Sequence, residues 1–149
     1  MIDTRKTTPG LRVLEKYAVR VGGGHNHRFN LADAVLLKDN HLAALRGRGM
    51  DLADAVRTIK ERVPHTMKVE VEVTSLEQID DALAGGADII LLDNMSNDEM
   101  REAVRRIKGR ALTECSGNVT LETVRERAET GVDLISSGEI GRASCRERV

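Results

Sequence analysis

The chain has 149 residues with 23 lysines and arginines against 24 aspartates and glutamates, a formal net charge of −1. No global field draws it to nucleic acid or membrane, so any charge logic must be local. Hydrophobic residues make up 40%, enough for one domain core, but Tyr17 and Phe29 are the only aromatics, which leaves aliphatic packing to fill that core and removes base stacking as a binding mode.

The run Asp3-Thr4-Arg5-Lys6-Thr7-Thr8-Pro9-Gly10 sets two adjacent cations just before a helix start. Thr8 suits the cap, Pro9 the first helical position, and the chain is expected to turn there from an extended Ile2-Asp3 into a helix beginning near Leu11. By itself a basic pair reads equally well as a solvated patch or an anion site. Leu11, Leu14, Ala18 and Val21 recur at helical spacing and predict the buried stripe of that helix, which Gly22-Gly23-Gly24 stops before a polar loop from His25 to Asn30. Ala34 to Leu37 reads as a strand ending on Lys38-Asp39-Asn40-His41. A helical pattern covers Leu52 to Val63 and ends at Pro64. Lys68 to Val73 then alternates with period two and sets Glu70 and Glu72 on one face of a strand. Lys68, on that same face, is the cation available to offset them.

Ser75 and Gln78 have capping-box spacing for a short helix ending at Gly85-Gly86, and Ile89 to Leu92 is a continuous apolar strand ending at Asp93. A helix over Asp98 to Lys108 should bury Met100, Val104 and Ile107, with Gly109 just past its end. Ala111 to Cys115 reads as the next strand, Thr120 as the cap of a helix reaching Glu129, and Asp133 to Ser136 as a last strand. Gly86-Ala87-Asp88-Ile89-Ile90 echoes Gly131-Val132-Asp133-Leu134-Ile135. Strands alternating with helices over short connections imply an α/β fold with a parallel sheet. Counting Ile2-Asp3 gives about six strands: a TIM-like βα barrel, open or incomplete. No apolar run reaches membrane-spanning length and the N-terminus has no secretory pattern, which suits a soluble cytoplasmic protein; Cys115 and Cys145 read as reduced thiols.

Lys38, Glu72, Asp93, Ser116 and Gly138 all stand at or just after the C-terminal end of a predicted strand, the active face of a βα barrel. Ser116 and Asp93 suit turns whatever their function, but Lys38 and Glu72 adjoin apolar strands, where an unpaired charge is costly and a ligand or partner is implied. His25-Asn26-His27 lacks a well-spaced third ligand for zinc, and His27 with Arg28 suits an anion clamp better. The Ser116-Gly117-Asn118 turn precedes a helix and is a better phosphate site than Gly22 to Gly24, with Gly138 on the neighbouring strand able to complete it.

Taken together, DTRKTTPG at Asp3 to Gly10, GGGHNHR at Gly22 to Arg28, LLKDNH at Leu36 to His41, VEVEV at Val69 to Val73, LLDNM at Leu91 to Met95 and ECSGN at Glu114 to Asn118 resemble quinolinate phosphoribosyltransferase, the carboxylating nicotinate-nucleotide pyrophosphorylase. The resemblance runs from Ile2 to Gly138. It implies transfer of phosphoribose from phosphoribosyl pyrophosphate to the ring nitrogen of quinolinate with magnesium, then loss of carbon dioxide to give nicotinate mononucleotide in NAD synthesis. By position, Arg5, His27, Arg28 and Lys38 would hold the quinolinate carboxylates and Lys6 the pyrophosphate end of the donor. Glu72 and Asp93 would meet ribose hydroxyls and magnesium. Ser116, Gly117, Asn118 and Gly138 would bind the 5'-phosphate, with Thr4 and Ser137 beside them. Lys38, Glu72 and Asp93 are thereby the implied catalytic groups.

Two departures qualify the resemblance. Family members carry a separate N-terminal domain that gives an arginine to a neighbouring subunit's site, whereas here Met1 adjoins the barrel motif. The family also continues past Gly138 with a histidine-bearing loop and a closing helix, whereas Glu139 to Val149 is arginine-rich without an apolar stripe. The sequence therefore predicts a barrel domain over residues 1–138 and a foreign tail over 139–149, inactive alone, from an enzyme that is a homodimer or higher homo-oligomer with shared sites. Two other readings stay open: a paralogous molybdenum-transport-associated protein, and a phosphate-binding barrel module without catalysis.

Overall fold

The computed structural model describes residues 1–47 and 49–139. The expectation of a foreign tail over 139–149 lies almost wholly outside the described residues. Among the described residues, six helices and five strands follow one another, alternating except where α2 and α3 are consecutive: α1 (Arg12–Val21), β1 (Val35–Leu37), α2 (Asp39–Arg46), α3 (Leu52–Arg62), β2 (Val69–Val73), α4 (Glu77–Ala84), β3 (Ile89–Asp93), α5 (Asn97–Ile107), β4 (Leu112–Ser116), α6 (Val124–Ala128) and β5 (Leu134–Ile135). All five strands are parallel and lie in the order β1-β2-β3-β4-β5. The sixth predicted strand is reduced to single bridges, in which Ile2 pairs parallel with Ser136 on one side and His25 on the other. Ile2 N donates to Ile135 O at 2.8 Å and Ser137 N to Ile2 O at 3.1 Å, so the first residues continue the sheet beyond its last strand.

Strand alternation divides the side chains between two environments. Val69, Val71, Val73, Ile90, Leu92 and Cys115 are fully buried on the outward face, where they meet Val56, Ile79, Ala82, Met100, Ala103 and Ile107 of α3, α4 and α5. Burying each larger aliphatic side chain contributes about 1.5–3 kcal/mol. Leu36, Glu72, Leu91, Asp93, Glu114, Ser116 and Ser136 point the other way into one cavity, which residues from the opposite end of the sheet (Thr4, Arg5, His27) also line. The sheet therefore curls round an interior, giving the incomplete TIM-like βα barrel that the alternation implied.

The first helix differs most from its sequence reading. Its start is a Thr8-to-Leu11 turn with Gly10 at φ 78°, Leu11 takes the cap position without a side-chain bond, and Thr8 instead donates its N–H to Glu15. Its apolar stripe faces outward: Leu14 is 65% and Val21 69% exposed, whereas Lys16 is 3% exposed. The inward face carries Lys16 and Val19, because Lys16 finds a buried counter-charge in Asp3 that the aliphatic residues could not replace.

Several caps also differ. Gln78 Oε1 accepts from Thr74 N at 2.8 Å, so no Ser75 capping box forms, and Leu76 takes the cap position of α4. At α5 a capping box does form, between Ser96 and Glu99. Thr120 Oγ1 accepts from Thr123 N rather than capping a long helix, leaving α6 only five residues. The short α2, which no apolar periodicity signals, has Lys38 at its cap, whose N–H donates to His41 Nδ1 at 3.1 Å. No helix among the described residues is long and apolar enough to cross a membrane.

Candidate active site

The strand ends converge on an upper cavity of about 560 Å³, and the strand starts on a lower one of about 440 Å³. His27, Arg28 and Glu114 line both, so these three side chains form the floor between them. Of the residues named from the sequence, Thr4, Arg5, Lys6, His27, Arg28, Lys38, Glu72, Asp93, Ser116, Gly117 and Asn118 all line the upper cavity. Ser136 takes the place expected for Ser137, whose hydroxyl is turned away to the Val119 carbonyl at 3.1 Å. Gly138 lies against Lys6, where an added Cβ would stand 3.3 Å from Lys6 Cδ.

The loop carrying His27 and Arg28 is tied down from an unforeseen direction. Asp3 Oδ1 accepts from Lys16 Nζ and from His27 N, both at 2.7 Å, and Asp3 Oδ2 accepts from Asn26 Nδ2 at 2.7 Å. A buried carboxylate with three donors is well satisfied, and it locks α1, the loop and the first extended residues into one unit. Arg5 and Arg28 project from this unit, and each leaves its Nε–H buried with no partner. Burial lowers the pKa of the Arg28 guanidinium, Glu70 opposes that fall and Arg5 adds to it.

Below the cations lie Glu70 and Glu114, each 1% exposed. His27 Nε2 is 3.1 Å from Glu70 Oε2 and 3.8 Å from Glu114 Oε1. The cation beside Glu70 is thus His27, not Lys68, which is exposed. Hydrogen bonding to Glu70 raises the His27 pKa against the effect of burial. Burial, reinforced by the charge of Glu70, lifts Glu114 from 4.5 to about 7. These three are the one group of metal-capable side chains found together among the described residues. The donor set does not suit a metal, because His27 Nδ1 accepts from Arg28 N at 2.7 Å, which leaves the ring proton on Nε2, the atom aimed at the carboxylates. Nothing in the sequence marked Glu114 beyond its place in the ECSGN turn.

At the upper rim Lys38 Nζ meets Glu72 Oε2 at 3.0 Å, the partner that their position beside apolar strands demanded. Glu72 is nearly enclosed and Lys38 half exposed. Opposite them, Asp93 and Ser116 are paired in register at the ends of β3 and β4. Gly117 at φ 90° and Asn118 at φ 52° shape the turn that follows. Cations, two carboxylates and a small-residue turn therefore share one cavity, a constellation able to bind a polyanion and stabilise positive charge developing between its parts.

The chain matches known proteins in sequence and in fold. The family model for the quinolinate phosphoribosyl transferase C-terminal domain matches residues 1–145. A probable nicotinate-nucleotide pyrophosphorylase (carboxylating) of Synechocystis is 49% identical over 139 residues, covering 91% of this chain and 46% of that protein. The Bacillus subtilis protein of the same description is 46% identical over 136 residues, again 91% of this chain and 46% of its own length. The crystal structure of NadC from Streptococcus pyogenes superposes with a TM-score of 0.88 at 48% identity, covering 95% of this chain and 48% of that one. The chain spans about half the length of the curated relatives it matches. With the barrel, the cation-lined cavity and these matches in agreement, the chain belongs to the quinolinate phosphoribosyl transferase C-terminal domain family.

Proposed function

We propose that this chain forms the catalytic barrel of a nicotinate-nucleotide pyrophosphorylase, which joins phosphoribose from phosphoribosyl pyrophosphate to quinolinate and releases pyrophosphate and carbon dioxide. The observation that carries this reading is the pair of buried, unpartnered Nε–H groups of Arg5 and Arg28 on the wall of the upper cavity. An unsatisfied buried donor costs about 1–3 kcal/mol, and more when charged, so the site is built to be completed by an anion. Quinolinate brings two carboxylates.

In this reading Arg5, His27, Arg28 and Lys38 hold the acid, and Lys6 faces the pyrophosphate of the donor. The cations offset the repulsion between two anions far better in an enclosed cavity than water does, and they align the ring nitrogen with the ribose C1'. As the C1'–oxygen bond to pyrophosphate breaks, positive charge grows on the sugar, and this reading assigns its stabilisation to Glu72 and Asp93, the two carboxylates at the strand ends. The turn at Ser116, Gly117 and Asn118 holds the 5'-phosphate. Glu72 and Asp93 are hard oxygen donors that suit magnesium, which when bound neutralises charge on the donor. The quaternised ring nitrogen then accepts the electrons left when the adjacent carboxylate departs as carbon dioxide, and the vacated carbon takes a proton. The holoenzyme in this reading is a cytoplasmic homo-oligomer whose sites are completed by the rest of the protein.

The test uses the chain alone and the chain fused behind the N-terminal half of the Bacillus subtilis relative. With quinolinate, phosphoribosyl pyrophosphate and magnesium, the fusion should release pyrophosphate and carbon dioxide in equal amounts. Quinolinate binding without pyrophosphate release would instead mark a non-catalytic module, and release with another acceptor only would move the chain to a different substrate.

A further inference from the structure

Asn94 follows Asp93 at the end of β3 and holds a left-handed backbone conformation, φ 54°. Its N–H donates to Ser116 O at 3.0 Å, which carries the β3–β4 pairing one residue beyond the strands. Its side-chain amide is used at both ends: Nδ2 donates to Asp93 Oδ2 at 2.9 Å, and Oδ1 accepts from Asn118 Nδ2 at 3.1 Å. Gly117 packs so tightly over it that an added Cβ would stand 2.2 Å from Asn94 Oδ1 and 3.1 Å from Asn94 N. All these residues line the upper cavity.

We infer that Asn94 is a positioning residue that fixes the span between the Asp93 carboxylate and the phosphate turn. The inference rests on the phosphoribosyl reading above, in which the donor is gripped at its 5'-phosphate by the turn and at its sugar by Asp93, while C1' migrates between leaving and attacking groups. A ligand held at two points is bound well only if the two anchors keep the separation that the ligand dictates, and a loose anchor loses the gain of the second contact. The planar amide of Asn94 is a short, rigid strut between them.

Residue choice at this position is narrow. Aspartate tolerates the left-handed backbone and keeps the acceptor for Asn118, but it cannot donate to Asp93 and sets a second negative charge beside it. Glycine keeps the backbone and loses both side-chain bonds. Alanine loses them and strains the backbone as well. Asparagine alone among these combines a left-handed backbone, a donor and an acceptor.

The experiment compares wild type, Asn94→Gly and Asn94→Asp by titration calorimetry with two probes: inorganic phosphate, which engages the turn alone, and phosphoribosyl pyrophosphate with magnesium, which spans both anchors. Both variants should lose about tenfold in affinity for the long ligand, one charge-assisted hydrogen bond's worth, while phosphate binding changes by about twofold or less. An equal loss for both probes would mean that Asn94 only supports the turn, and no loss would mean that it positions nothing; either overturns the inference and leaves the phosphoribosyl reading intact. All three are measured in the fusion with the N-terminal half described above, and failure of the wild-type fusion to bind phosphoribosyl pyrophosphate would remove that reading and the inference with it. Circular dichroism identifies a variant that fails to fold, in which case the other variant decides.

Discussion

Lys16 Nζ sits 2.7 Å from Asp3 Oδ1, with both side chains under a tenth exposed, so an ion pair occupies the inward face of a helix whose aliphatic stripe looks outward. Removing one partner of a buried pair leaves the other desolvated and uncompensated, at a cost of about 3–5 kcal/mol. Lys16→Met should therefore destabilise the chain by that amount in urea unfolding. Asp3→Asn should cost as much, because it leaves the Lys16 ammonium without a counter-charge and turns an amide NH2 toward a donor, Asn26 Nδ2 or the Lys16 and His27 pair. Small losses in both variants would show that the pair is not enclosed in solution.

Glu114 supplies a pH test. Its folded pKa, about 7, stands above its ordinary 4.5, so the fold holds this proton more tightly than the unfolded chain does. Stability from this group is full below pH 4.5 and is lost as pH rises through about 7. His27, whose pKa is also raised, adds a loss in the same direction. Glu114→Gln should flatten the decline between pH 5 and 8 and gain on the order of 2–3 kcal/mol over wild type at pH 8, with little difference at pH 4.5. Parallel pH profiles for the two proteins would contradict this.

Lys38 separates binding from folding. Its pair with Glu72 lies at a rim where the lysine is half exposed, so Lys38→Ala should move stability by about 1 kcal/mol or less. In the fusion enzyme the same change should weaken quinolinate by about 1.5–3 kcal/mol, one charge-assisted contact, and Arg28→Ala should do likewise. Unchanged saturation curves for both variants would reject the assigned clamp.

Gly85, at the C-terminal cap of α4, packs directly against α3. Its backbone is ordinary for any residue, yet an added Cβ would lie 2.6 Å from Val56 Cβ and 2.7 Å from Ala53 O. Gly85→Ala should therefore cost about 1–3 kcal/mol through contact alone. The adjacent Gly86 has open space, its nearest neighbour at 3.7 Å, but holds φ 83°. Its alanine variant should lose about 1 kcal/mol or more through backbone strain instead. Thermal unfolding of Gly85→Ala within 1 °C of wild type would refute the packing claim.

The strands were legible wherever alternation or a continuous apolar run was clean, as at Val69–Val73 and Ile89–Asp93, because one face of each must meet helices and the other an interior. The upper cavity was legible for a related reason: polar residues at strand ends have one common destination in this topology. What escaped was set by partners remote in sequence. Leu14 and Val21 predict a buried stripe, but nothing local reveals that Lys16 meets Asp3 or that Asn26 and His27 complete that carboxylate. Glu114 reads as a residue before a turn until β2 places Glu70 beside it. The Ser75 cap failed for a local reason, since Thr74 N–H reached Gln78 first.

The bridge between Ile2 and the residues around Ile135 has a consequence for how the molecule is made. Ile2 leaves the ribosome long before the backbone that hydrogen-bonds it, and loop closure between such distant partners must come late. Arg5 and Lys6 travel with that waiting segment. The grip on anions therefore depends on backbone that only a nearly full-length product possesses, so a product cut short before Ile135 would lack the hydrogen bonds that anchor this segment to the last strand.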